Sequence, residues 1–182
     1  VSPGTRFKDA VYTADRACRE AKTRHNEGLV VYEKNAQAFQ DHHAELQLVE
    51  RLSGGRATEG LFLQMQPIMS LSAPHASLNF EVLLRMRDAD GKLVPTDRVI
   101  SAGENSGRMG VIDRWVLSAA LTWLNTHLTR LRNTRFVCMN LSGASLNDEK
   151  FMNDVYTLLA QNIHVASFLC FEITESVALH DL

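Results

Sequence analysis

Three residues in this chain place oxygen-bearing side chains inside otherwise apolar runs: Glu81 in NFEVLLR, Asn140 in FVCMNLS and Glu172 in LCFEITE. An ionised carboxylate buried without a partner costs on the order of several kcal/mol, so each needs either a partner or a cleft. Two carboxylates and an amide oxygen form a hard-oxygen set suited to Mg²⁺ or Mn²⁺. The competing reading is structural: Asn140 caps the loop NLSGAS, and the glutamates pair with Arg85 or Arg135. For any one residue alone that reading is the better one, but three on successive strand ends favour a site.

Other polar residues stand out on the same and an earlier strand. Arg85 lies four residues after Glu81, on the same strand face, where its guanidinium could fork onto a phosphate or onto Glu81 itself. Gln64 and Gln66 share one face of an earlier strand, completing hydrogen bonds or reading a base edge.

The elements that must position these residues follow from hydrophobic periodicity. FKDAVYTADRACREAKTRH has helical spacing through Val11 and Ala14, and NEGLVVYEK reads as a turn and a strand. AQAFQDHHAELQLVERLSGG reads as a connecting helix carrying Phe39, Leu46, Leu48, Val49 and Leu52 and stopped by Gly54-Gly55. From Leu61 strands alternate with helices: LFLQMQPIMSL, then after a short loop SLNFEVLLRM, an antiparallel start. Pro95-Thr96-Asp97 opens a helix, and a long helix follows through MGVIDRWVLSAALTWLNTHLTRL. Its buried surface is read as Val111, Ile112, Trp115, Val116, Ala119, Leu121, Trp123 and Leu124. The strand RFVCMNLS, a helix capped by Asn147 or Asp148, and the strand SFLCFEITE complete the series. This β-helix-β order, with strands apolar on both faces, predicts a parallel α/β sheet covered by helices, doubly wound or a barrel. In either, sites gather at the carboxyl ends of the strands.

Composition narrows the partners. The chain of 182 residues is 45% hydrophobic with a formal net charge of −2, so it carries no general basic footprint for a nucleic acid polymer. Cys18, Cys138 and Cys170 are too widely spaced for a zinc motif and read as reduced, buried thiols of a cytoplasmic protein. No apolar run approaches the roughly 20 residues of a membrane span.

In order, QPIMSL, EVLLR, LVPTDRVISAGENSG, IDRWVL, MNLS and FEITES resemble the first half of an EAL domain, the bacterial cyclic-di-GMP phosphodiesterase module. The head of the chain, ADRACREAK and EGLVVYEK, resembles the closing helix and strand of a GGDEF domain. The resemblance divides the chain into a GGDEF tail over 1–36, a connecting helix over 37–56 and the N-terminal part of an EAL domain over 57–182.

The resemblance implies a TIM-barrel-like (βα)₈ fold with an antiparallel first strand, of which only the first part is in this chain. It implies metal ligands at Glu81, Asn140 and Glu172 for Mg²⁺ or Mn²⁺, and a loop-steadying role for Glu175. Gln66 and Arg85 match positions that contact cyclic di-GMP, and Leu84 and Pro95 fall in stretches lining its pocket. The implied reaction is metal-assisted hydrolysis of one phosphodiester bond to give linear pGpG, with Glu81, Glu172 and Glu175 in the catalytic set.

Val82 replaces the alanine of the signature, adding bulk on the outward face. The family's D-D-F-G loop, lysine strand and late glutamate and glutamine are expected beyond Leu182, so this stretch by itself is expected to be inactive and the whole protein active. A non-catalytic cyclic-di-GMP receptor and a dimerisation scaffold are the alternatives. A homodimer through EAL or linker surfaces, and sensory or inner-membrane segments elsewhere in the whole protein, are further expectations.

Overall fold

The computed structural model describes residues 37–173 and, before them, the helical positions Val11, Ala14 and Cys18. The strand expected in NEGLVVYEK, most of the GGDEF-like head and Glu175 lie outside the described residues. The chain divides into two compact units, 1–47 and 48–182.

Helix α1 (Gln37–Ser53) ends where Gly54 donates its N–H to the Glu50 carbonyl at 3.0 Å and Gly55 takes a φ of 84°. A glycine is favoured there because a side chain crowds that backbone region. Leu48 and Leu52, near the end of α1, are buried in the core of the second unit.

The second unit is built on one mixed sheet. Strand β1 (Leu61–Ile68) pairs antiparallel with β2 (Asn79–Arg87), in the register Phe62 to Arg85, Gln64 to Leu83 and Gln66 to Glu81. Beyond β2, β4 (Val137–Leu141) and β5 (Leu169–Ile173) run parallel to it, giving the order β1-β2-β4-β5. A two-residue strand, β3 (Leu93–Val94), pairs antiparallel with Met86 and Arg87 of β2. The β2–β4 pairing covers only Phe80 to Val82 against Val137 to Met139. β3 then takes the edge that β4 has left.

Helix α2 (Thr96–Asn105) starts after Pro95, whose fixed ring suits the entry and whose carbonyl accepts from the N–H groups of Arg98 and Val99. Helix α3 (Met109–His127) lays a stripe of Met109, Ile112, Val116, Leu117, Ala120, Leu121 and Leu124 into the core, the spacing of one helical face. Opposite it stand Val82, Met86, Val137, Met139 and Leu141 from one side of the sheet. Val111, expected in the buried stripe, is 44% exposed, because it lies one residue off that face.

Between β4 and β5 come a single turn α4 (Gly143–Leu146), α5 (Glu149–Gln161) and the short α6 (Ile163–Ala166). Of the two cap residues expected for α5, Asp148 performs the role, its Oδ1 accepting from the N–H groups of Lys150 at 2.9 Å and Phe151 at 3.3 Å. No described helix is long and apolar enough to cross a membrane.

Gly60 shows how tightly the start of β1 is fitted. Its φ is 77°, its carbonyl accepts the Arg87 N–H at 2.9 Å, and a Cβ placed on it would overlap the Arg87 carbonyl oxygen. Gly60→Ala is therefore expected to destabilise the fold by about 1–3 kcal/mol, read as a lowered urea midpoint with unchanged slope. An unchanged midpoint would mean that the turn relaxes without cost.

Candidate functional site

Strand alternation separates the sheet's two faces. Leu61, Leu63, Met65, Val82, Leu84, Met86, Val137, Met139 and Leu141 pack toward the helices. The pairing register places Gln64, Gln66, Glu81, Leu83, Arg85, Cys138, Asn140, Cys170 and Glu172 on the other face.

This alternation corrects one expectation. Leu84, expected in a stretch lining a ligand pocket, is on the helix-covered face, partly buried against the core, and the leucine on the face of Glu81 and Arg85 is Leu83. Leu84 serves Arg85 through its carbonyl oxygen instead. A second correction concerns Glu81, which is the third residue of β2, not its last. Pairing with β1 carries β2 onward after β4 has diverged, so Glu81 lies in the middle of the short β2–β4 contact, between Phe80 and Val82, and well before the end of the strand.

The structure brings the three oxygen donors together. Asn140 donates from Nδ2 to Oε1 of Glu81 at 3.1 Å, across a sequence separation of 59 residues. Asn140 is the direct parallel partner of Glu172 on β5. Between the two glutamates sits Cys138, the ladder partner of both Glu81 and Cys170. Burial, followed by hydrogen bonds to Glu172 and Cys170, pushes the Cys138 thiol from 9.0 up to about 12. Cys138 is buried as expected, whereas Cys170 is exposed, because β5 forms the end of the described sheet.

The raised thiol value has a testable sign. Below pH 9 both the folded and unfolded forms keep Cys138 protonated; from there toward 12 the unfolded form ionises first. Stability linked to this thiol is thus present below about pH 9 and is lost as pH rises through that window. Peptide mapping after iodoacetamide treatment of the metal-free protein at about pH 8.5, where an exposed thiol is partly ionised, should show Cys170 modified and Cys138 spared. Equal labelling at both would contradict the burial of Cys138.

Arg85 is held from three sides. Its Nε donates to Oε1 of Gln64 at 2.9 Å, and Nη1 donates to the Leu84 carbonyl at 2.9 Å and to Oγ1 of Thr96 at 3.2 Å. The Thr96 hydroxyl in turn faces the Leu84 carbonyl at 3.3 Å, so the first residue of α2 braces the guanidinium. These bonds use Nε and Nη1; the Nη2 end takes no part in them. Gln66 is the exposed neighbour of Glu81 across the β1–β2 ladder, and Pro95 is exposed at the head of α2.

The oxygen set fits a magnesium-like cation by its chemistry. Among the described residues no group of three or more His, Cys, Asp or Glu gathers around one point. Mg²⁺ does not require one: it is usually bound by one or two carboxylates, with waters and substrate phosphates completing its shell. Glu81 and Glu172 supply that number, and Asn140 adds a carbonyl oxygen beside them.

Two buried polar residues absent from the sequence-derived set bind the chain on either side of β4. Asp113, only 5% exposed on α3, accepts at Oδ2 from the Ser142 N–H at 3.1 Å, the Ser142 hydroxyl at 2.7 Å and the Ser145 hydroxyl at 2.6 Å. Asn79, also buried, accepts at Oδ1 from the N–H groups of Arg135 at 2.9 Å and Phe136 at 3.2 Å. An available signal was that Asp113 falls on the buried stripe of α3, an anomaly of the same kind as Glu81.

The EAL domain family matches residues 49–182. The chain belongs to this family. It is 28% identical over 182 residues, 99% of its length, to the cyclic di-GMP phosphodiesterase PdeB of Shewanella oneidensis, of which it covers 21%. It is 30% identical over 132 residues, 72% of its length, to the cyclic di-GMP phosphodiesterase PdeF of Escherichia coli, covering 17% of that protein. The fold superposes on the FimX EAL domain from Pseudomonas aeruginosa bound to c-di-GMP with a TM-score of 0.61 and 26% identity, over 75% of this chain and 52% of that one. The chain thus spans about a fifth of the curated relatives and about half of the solved EAL domain. The mixed sheet and its covering helices are part of the TIM-barrel-like EAL fold.

Proposed function

We propose that the whole protein is a cyclic-di-GMP phosphodiesterase that opens one phosphodiester bond to give linear pGpG. The observation that carries this reading is the contact of Asn140 with Glu81, two residues 59 positions apart, on the sheet face that also holds Glu172. Glu81, Asn140 and Glu172 would hold Mg²⁺ or Mn²⁺. When bound, such a cation lowers the pKa of a coordinated water and offsets the charge that develops on the phosphoryl oxygens.

The chain's own residues would do the rest. Arg85, braced by Gln64, Leu84 and Thr96, presents its guanidinium toward a phosphate with little ordering left to do on binding. Gln66, beside Glu81 in the ladder, offers an amide that can both donate and accept toward a guanine edge or the ribose-phosphate backbone. Pro95 would border the ligand at the mouth of α2, and Glu175 would steady a loop near the cation.

The test is product analysis. Whole protein incubated with cyclic di-GMP and Mg²⁺ or Mn²⁺ should yield pGpG by chromatography, and a chelator should stop it. Tight binding without product would overturn the phosphodiesterase reading and leave a cyclic-di-GMP receptor.

A further inference from the structure

We propose that Asp113 is a positioning residue for the metal-binding face: it holds the end of β4 so that Asn140 stands against Glu81. This rests on the proposed metal site.

The ladder alone does not fix that contact. β2 and β4 are paired only from Phe80 to Val82 and from Val137 to Met139, so Asn140 is the first residue of β4 beyond its last partner on β2. On its other side β4 stays in register with β5, Asn140 with Glu172 and Leu141 with Ile173, but that ladder says nothing of its distance from β2. The separation of Asn140 from Glu81 therefore depends on where the chain goes next, and that is the turn at Ser142.

Asp113 determines the turn. One carboxylate oxygen collects the Ser142 N–H, the Ser142 hydroxyl and the Ser145 hydroxyl, while the Ser145 N–H returns to Ser142 Oγ at 3.2 Å. Ser145 has no exposure, and the whole knot lies between α3 and the single turn α4. A neutral side chain could cap one turn of helix. A buried carboxylate with three donors gives shorter, stronger and more directional bonds, tying β4's exit to α3, whose inner face is buried in the core. Asn79 performs the matching task at β4's entry, where it binds the N–H groups of Arg135 and Phe136. Clamped at both ends, β4 delivers Asn140 to a fixed place.

Asp113→Asn keeps the shape but puts a donor or a weaker, neutral acceptor before the two serine hydroxyls. Mn²⁺ binding is read by calorimetry on the whole protein without substrate, beside Ser145→Ala, which removes one bond, and Val155→Ala, which destabilises α5 away from the knot. Asp113→Asn should weaken Mn²⁺ binding by about ten- to a hundredfold, as loss of supporting hydrogen bonds around metal ligands does, and Ser145→Ala should weaken it less. Val155→Ala should lower the melting temperature and leave Mn²⁺ affinity as in the parent. Wild-type Mn²⁺ affinity in both Asp113→Asn and Ser145→Ala would overturn the proposal, as would an equal loss in Val155→Ala. Glu81→Gln serves as the separate control: if it binds Mn²⁺ like the parent, the metal site itself is misplaced, whatever Asp113 does.

Discussion

Glu81→Ala in the whole protein is expected to lower turnover of cyclic di-GMP by on the order of a thousandfold, the rate equivalent of about 4 kcal/mol of lost charge stabilisation around a bound cation. The substitution removes one of two carboxylates and also the acceptor of the Asn140 amide, so two of the three donors are disturbed at once. Folding should survive. Glu81 is only half-buried, and its replacement removes a charge from the sheet face without opening a cavity in the packed core, which lies on the opposite side. Steady-state rates at saturating Mn²⁺, with a thermal melt as the fold control, measure the effect. A variant that folds and turns over at a rate near the parent's would remove Glu81 from the metal site.

The second large effect belongs to Arg85. Arg85→Ala is expected to weaken cyclic-di-GMP binding by about ten- to a hundredfold, the range of about 1.5–3 kcal/mol for a hydrogen bond to a charged group. Arg85→Lys should recover little of it. A lysine ammonium has no planar fork, and it could not satisfy Gln64, the Leu84 carbonyl and Thr96 while also facing a phosphate. Titration of the nucleotide without catalytic metal separates this loss from any effect on the chemical step. An unchanged dissociation constant in Arg85→Ala would place the phosphate elsewhere.

The contrast between these two residues and their neighbours shows what the sequence can carry. Glu81, Asn140 and Glu172 are legible because each interrupts an apolar run, and period-two alternation then gives their faces with no further information. The antiparallel β1–β2 pair and the parallel β2, β4 and β5 are legible for the same kind of reason: a short loop in the first case, intervening helices in the others.

What depends on pairing length was not legible. That β4 leaves β2 after three residue pairs, and that β3 takes its place, is a matter of three-dimensional divergence, and it moved Glu81 from a strand end to a strand interior. The side-chain assignment of Leu84 failed for a simpler reason. Alternation puts it opposite Glu81 and Arg85, and the family resemblance named the stretch without deciding between adjacent leucines. Asp113 was concealed by its setting in IDRWVL, where an acid in the first turns of a helix has an ordinary explanation as a charge near the N-terminus. Its place on the buried stripe of α3 hints at it, and its burial and its reach to Ser142 and Ser145 identify it.

The most direct test of the metal-centred site is the anomalous scattering of Mn²⁺ in crystals of the whole protein grown with cyclic di-GMP. The expected result is a Mn²⁺ peak on the open sheet face, within coordination distance of oxygens of Glu81, Asn140 and Glu172, with Arg85 turned to a phosphate of the nucleotide. Bound nucleotide with Mn²⁺ held elsewhere, by residues other than these three, would contradict it.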